Sequence, residues 1–129
     1  MSEAILEHAN ITVSDVEKSA KMLCKLFDWK VRWKSEKGAS IHGGTSWHVG
    51  SEHSYLAIFS MGGDGEPGNT YQTTGGLNHI GVVVDDLDLV EARVVEMGFV
   101  PNNHGDYEPG RRFYFDDHDG IEIEVVSYP

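Results

Sequence analysis

A single cysteine, Cys24, in 129 residues excludes an internal disulfide and suits a reducing compartment. Basic residues are scarce too. Against 21 Asp and Glu stand 10 Lys and Arg, a formal net charge of −11, and the bases form no stripe. That balance excludes nucleic acid and anionic membrane as partners, because both are recognised through clustered positive charge. No apolar run approaches the length needed to span a bilayer. The opening "MSEAILEHAN" lacks the basic start and apolar middle of a secretory signal. The expectation is a cytoplasmic protein of one ordinary domain, spanning 1–129, long enough to bury a real core. So acidic a surface repels a second copy at long range, so any oligomer needs a short-range apolar contact.

What the chain does contain is a repeat. Residues 9–13, "ANITV", form a β-branched run, and Ser14 and Asp15 follow where a helix N-cap belongs. Val16, Ala20, Leu23 and Phe27 then recur at spacings of four, three and four, one apolar helix face. "VRWKS", "SWHVG" and "YLAIFS" read as three strands bounded by Gly or Ser. The Gly-rich stretch 62–76 is a connector or a mobile loop. Beyond it "NHIGVVVDD" parallels "EHANITVSD", with His8 and His79 in register. Leu87, Val90, Val94 and Met97 give a second helix face ended by Gly98. "GFV", "RFYF" and "IEIEVVS" supply three more strands, with "DDHDG" as the turn before the last. "LAIFS" aligns with "IEVVS", which sets Ala57 opposite Glu124. The organisation is two βαβββ modules, about 4–61 and 77–128.

Alternation along each strand sorts the side chains. Ala9, Ile11 and Val13 share a face that should pack on the helix, while His8, Asn10 and Thr12 look the other way. In the second repeat Ile80, Val82 and Val84 take the helix side and leave His79, Gly81 and Val83 opposite. In the last strand Glu122 and Glu124 oppose Ile121, Ile123 and Val125. An inward carboxylate is costly unless paired or bound to a metal. Two histidines and one carboxylate form a facial triad suited to Fe(II), and Mn, Zn, Ni or Co could use it as well. A lone strand-end histidine is more often exposed or hydrogen-bonded than a ligand. The equivalent places of His8 and His79 in the two repeats favour the ligand reading.

With "LEHANITVSDVEKS", "YLAIFS", "GLNHIGVVVDDLD" and "FDDHDGIEIEVVS", the chain resembles the vicinal oxygen chelate superfamily of glyoxalase I, extradiol dioxygenases, fosfomycin resistance proteins and bleomycin-binding proteins. The resemblance runs from about Ile5 to Ser127. It implies an α+β fold of paired βαβββ modules curling into a cup-shaped sheet, and a homodimer. It also implies metal ligands at His8, His79 and Glu124. The fourth metal position of glyoxalase I falls on Ala57, which has no donor atom. The three remaining ligands match the extradiol dioxygenases, which add a tyrosine and histidines near the metal. Tyr114, His104 and His53 are the matching catalytic candidates, with His104 and His53 looser in spacing.

Three functions follow as expectations. The first is metal-dependent ring cleavage of a catechol-like diol, with Fe(II) favoured. The second is a glyoxalase I-like isomerase, with Glu122 or Glu124 as base and Arg111 and Arg112 for substrate carboxylates. The third is a metal-free small-molecule binding or resistance protein, its pocket lined by Trp33, Trp47, Tyr55, Phe59, Phe113 and Phe115.

Overall fold

The computed structural model describes residues 3–63, 68–107 and 110–129. The chain divides into two compact units, Met1–Gly65 and Glu66–Pro129. Part of the expected connector, 64–67, lies outside the described residues.

The first unit runs β1 (His8–Thr12), α1 (Val16–Phe27), β2 (Lys30–Lys34), β3 (Thr45–Gly50) and β4 (Tyr55–Ser60). Asp15 starts the helix by accepting from the Lys18 backbone N–H at 3.1 Å, which satisfies one of the orphan donors of the first turn. Asp28, at φ 58°, ends it. The expected face of Val16, Ala20, Leu23 and Phe27 is buried, joined by Met22 and Leu26. It packs on the sheet, where Val49, Leu56 and Ile58 complete the core. Each such side chain stabilises the fold by roughly 1.5–3 kcal/mol. The strand order is β1-β4-β3-β2. β1 runs parallel to β4, and the other pairs are antiparallel.

The second unit repeats this plan with β5 (Ile80–Val83), α2 (Leu87–Glu96), β6 (Asn102–Tyr107), β7 (Gly110–Asp116) and β8 (Glu122–Ser127), in the order β5-β8-β7-β6. Asp86 caps α2 through the Leu89 N–H at 3.0 Å. Leu87, Val90 and Val94 are buried, and Gly98 follows the helix at φ 92°. The core holds Phe113, Phe115, Ile123 and Val125. The expected "GFV" strand is not formed. Residues 98–100 are irregular, and the strand begins at Asn102, just past Pro101. A left-handed glycine and a proline without an N–H interrupt any ladder there. β6 is a polar edge strand, which hides it from a search for apolar alternation. The "DDHDG" turn forms as expected. Asp117 closes it by accepting from the Asp119 and Ile121 N–H groups at 2.8 and 3.0 Å, and burial pushes its carboxyl pKa up.

Register confirms the repeat at the level of single residues. Asn10 lies beside Ala57 in β1–β4, as Gly81 lies beside Glu124 in β5–β8. His48 lies beside Ala57 in β3–β4, as Tyr114 lies beside Glu124 in β7–β8. Even the edge strands correspond, with irregular pairing between Val31 and Trp33 and between Asn102 and Gly105. Among the described residues, no helix is long and apolar enough to cross a membrane.

Candidate functional site on two polar sheet faces

In the second unit the face turned away from α2 gathers His79, Glu124, Tyr114 and Arg112. His79 Nδ1 lies 2.7 Å from Asn78 Oδ1. With the ring proton donated to that oxygen, the Nε2 lone pair points outward, as a metal-binding imidazole requires. Nε2 then lies 3.1 Å from Glu124 Oε1. The other carboxylate oxygen, Oε2, accepts from Arg112 at 2.8 Å and from the Tyr114 hydroxyl at 3.0 Å. The Glu124 and Arg112 side chains are 12% and 13% exposed. Burial, the largest influence, opposes the Arg112 charge, but the Glu124 hydrogen bond together with the charge interactions with Tyr107, Glu124 and Tyr114 outweighs it, and the pKa is raised. Burial and then the bond to Glu124 raise the Tyr114 hydroxyl. Arg112 also lies over the Tyr107 ring, 4.8 Å from its centre.

These residues fit a divalent cation. Two electron-pair-bearing atoms at 3.1 Å repel unless a proton or a cation relieves them. An imidazole nitrogen and a carboxylate oxygen bound side by side to one ion, each at about 2.1 Å, stand roughly 3 Å apart.

In the first unit the corresponding face carries His8, His48, Tyr55 and Ala57. His8 Nδ1 lies 2.9 Å from Glu7 Oε1, which also accepts from the Tyr55 hydroxyl at 3.1 Å. Those two hydrogen bonds, His8 first, lower the Glu7 carboxyl pKa. As with His79, an oxygen on the preceding side chain occupies Nδ1 and leaves Nε2 for another partner. The Tyr55 ring stacks on His8 and on His48, with centres 4.9 and 4.5 Å apart. Burial, then the neighbouring His8 and Arg32, lower the His48 pKa.

The remaining candidates lie elsewhere. His104 Nε2 is 2.6 Å from Glu91 on α2, and its ring lies against Phe113, so it sits on the helix side of its sheet. His53 occupies the exposed turn between β3 and β4. Among the described residues, no three His, Cys, Asp or Glu side chains come together in a way suited to a metal ion.

The model of the Glyoxalase/Bleomycin resistance protein/Dioxygenase superfamily matches residues 5–125. The chain belongs to that superfamily. No curated protein matches it. Among solved structures, a glyoxylase/bleomycin resistance protein/dioxygenase domain from Frankia sp. EAN1pec is 20% identical, with a TM-score of 0.80 over 98% of this chain and 99% of that one. The fosfomycin resistance protein FosX from Mesorhizobium loti is 24% identical, with a TM-score of 0.71 over 94% of this chain and 89% of its own. A variant of FosX from Listeria monocytogenes, bound to Mn(II) and 1S,2S-dihydroxypropylphosphonic acid, is 21% identical, with a TM-score of 0.74 over 96% and 92%. Likeness at these identities establishes the shared fold.

Within the superfamily frame, four residues stand out that the sequence reading left aside or placed differently. Glu7 and Asn78 each precede a ligand candidate and orient it. The signal was present as an oxygen-bearing side chain before each repeat histidine. Arg112, expected only as a substrate-carboxylate partner, is bound to Glu124. His48 shares the polar face with His8. Alternation in "SWHVG" puts it with Ser46, but only the β3–β4 register shows that it adjoins Ala57.

Proposed function

We propose that this protein is a divalent-metal-dependent enzyme that holds a small substrate through two neighbouring oxygens. His79 and Glu124 are the donors of the second unit and His8 that of the first. The observation that carries this reading is the outward Nε2 of His79 lying 3.1 Å from a carboxylate oxygen, with the other ring nitrogen already engaged. When bound, the ion supplies Lewis-acid charge that lowers the pKa of a chelated hydroxyl and stabilises the anion formed. Arg112 and Tyr114 hold Oε2 of Glu124, so this carboxylate turns Oε1 towards the ion. Tyr114 is the hydroxyl best placed to hydrogen-bond a substrate held there.

Within this reading, proton-transfer chemistry without an added oxidant, of the glyoxalase-like kind, fits the residues best. Neither His104, on the helix side, nor His53, in the turn, stands on a polar face to handle protons for ring cleavage. A FosX structure holds Mn(II) with a diol phosphonate, a ligand with neighbouring oxygens; an α-hydroxycarbonyl compound, which combines such a pair with an acidic C–H, is the substrate class to try first here. Extradiol cleavage with Fe(II) is the second reading, favoured by Tyr114 lying directly across from Glu124. As is common in this superfamily, a homodimer is the proposed assembly.

Elemental analysis of untagged protein prepared without chelator tests the metal, beside a His79→Ala control. Near-stoichiometric metal that is lost in the control supports the site. No metal after reconstitution overturns it. Activity on a catechol panel only with Fe(II) and air would move the reaction to ring cleavage.

A further inference from the structure

The first unit lacks a donor where the second has Glu124. Ala57 is 2% exposed and occupies that register position. What lies beside it is an imidazole. His48 is the direct cross-strand neighbour of Ala57, and directly opposed residues on adjacent strands share a face. Its ring centre is 6.4 Å from that of His8. Two imidazoles on one ion, each bound at about 2.1 Å, keep their ring centres roughly 4.5–6.5 Å apart. The His8–His48 separation falls at the upper end of that range. Tyr55 stacks against both rings and holds their planes within 18° of one another. No hydrogen-bond partner engages either His48 ring nitrogen among the described residues. An alanine here makes room for the larger ring on the next strand.

We infer that His48 takes the place left by Ala57 and is the second metal-binding nitrogen of the first unit. The inference rests on the metal-dependent reading above and deepens it. Each unit then offers two donors, His8 with His48 and His79 with Glu124. An all-imidazole pair suits a borderline cation such as Zn, Ni, Co or Fe(II) over the harder Mg or Ca.

The test is Co(II) and Zn(II) affinity, with the visible absorption of the Co(II) form, for the wild-type chain, His48→Phe, His48→Ala and His79→Ala. Phenylalanine keeps the ring stack on Tyr55 and removes both nitrogens, and circular dichroism checks that each variant is folded. Loss of one metal-orienting partner weakens binding by about 10–100-fold. Loss of a direct ligand should reach at least the upper end of that range in His48→Phe and shift the Co(II) bands. Wild-type affinity and spectrum in His48→Phe, with metal lost in His79→Ala, overturn the inference and leave the parent reading standing. Unchanged affinity with lost turnover also overturns it, since His48 would then touch substrate alone. A wild-type chain that binds neither ion overturns both. The double variant His48→Ala/Ala57→Glu supplies a carboxylate at the register of Glu124, and recovery of binding there supports the assignment.

Discussion

The two polar faces are built on the same register and carry different chemistry. In the second unit the strand pair β7–β8 offers a carboxylate held by Arg112 and Tyr114. In the first unit the equivalent pair β3–β4 offers Ala57 and His48, under an aromatic layer of Tyr55 and Trp33. The helix sides did not diverge in this way. Each has an aspartate-capped helix over a sheet of branched and aromatic side chains. Core positions are constrained by packing volume, whereas a residue on the open face is constrained only by what it must bind. The difference between the faces therefore records function, and the likeness beneath them records folding.

The largest expected effect comes from the shared core. Phe113 is fully buried, and Phe113→Ala should cost about 3–5 kcal/mol, read as a shifted denaturant midpoint. A comparable loss is expected when chemistry is transplanted without its support. Ala57→Glu alone puts a carboxylate at a buried position where Ser46 stands in the strand place of Arg112, at a cost of about 3–5 kcal/mol if Arg32, which lies over Tyr55, does not pair with it. A neutral result there would mean that the first unit already holds a cationic partner, and the contrast between the faces would fail.

Tyr71 sharpens the comparison by pH. Its hydroxyl donates to Glu122, on the same face of β8 as Glu124, and that bond, first among the causes, raises its pKa from 10.0 to about 12. The folded value exceeds the unfolded one, so the contribution to stability is complete below about pH 10. It is lost as pH rises towards 12. Ultraviolet titration should show Tyr55, Tyr114 and Tyr71 ionising late, and Tyr71→Phe should remove the step near pH 12. In the first unit Tyr55 occupies the strand position equivalent to Glu122, and the roles are exchanged: this tyrosine donates to Glu7, and burial, then that bond, raise its pKa.

The smallest effect is also the most symmetrical. Asp15→Ala and Asp86→Ala should each cost about 1 kcal/mol, because each aspartate accepts one first-turn N–H. Unequal costs would show that the two helices do not depend on their caps alike.

Much of this was legible in the linear order of residues. Spacings of three and four marked α1, with the buried face that the structure has. The repeat of His8 and His79 marked the duplication, and alternation put Glu124 opposite the core. Other features were hidden. β6 escaped notice because an edge strand needs no apolar alternation, so "NNHGDY" reads as loop. His104 could not be placed, because a residue beside a bulge has no fixed face until the bulge is located. His48 went unremarked because nothing local ties it to Ala57, nine residues away.

By itself the sequence determined what depends on local periodicity and capping: two helices, most of the strands, and the side of each strand that is oily. Only the tertiary structure decided which polar side chains meet. Strand register joins residues far apart in the chain, such as Arg112 and Tyr114 with Glu124, or His8 with His48. A shift of one residue in that register would turn each of them to the opposite face.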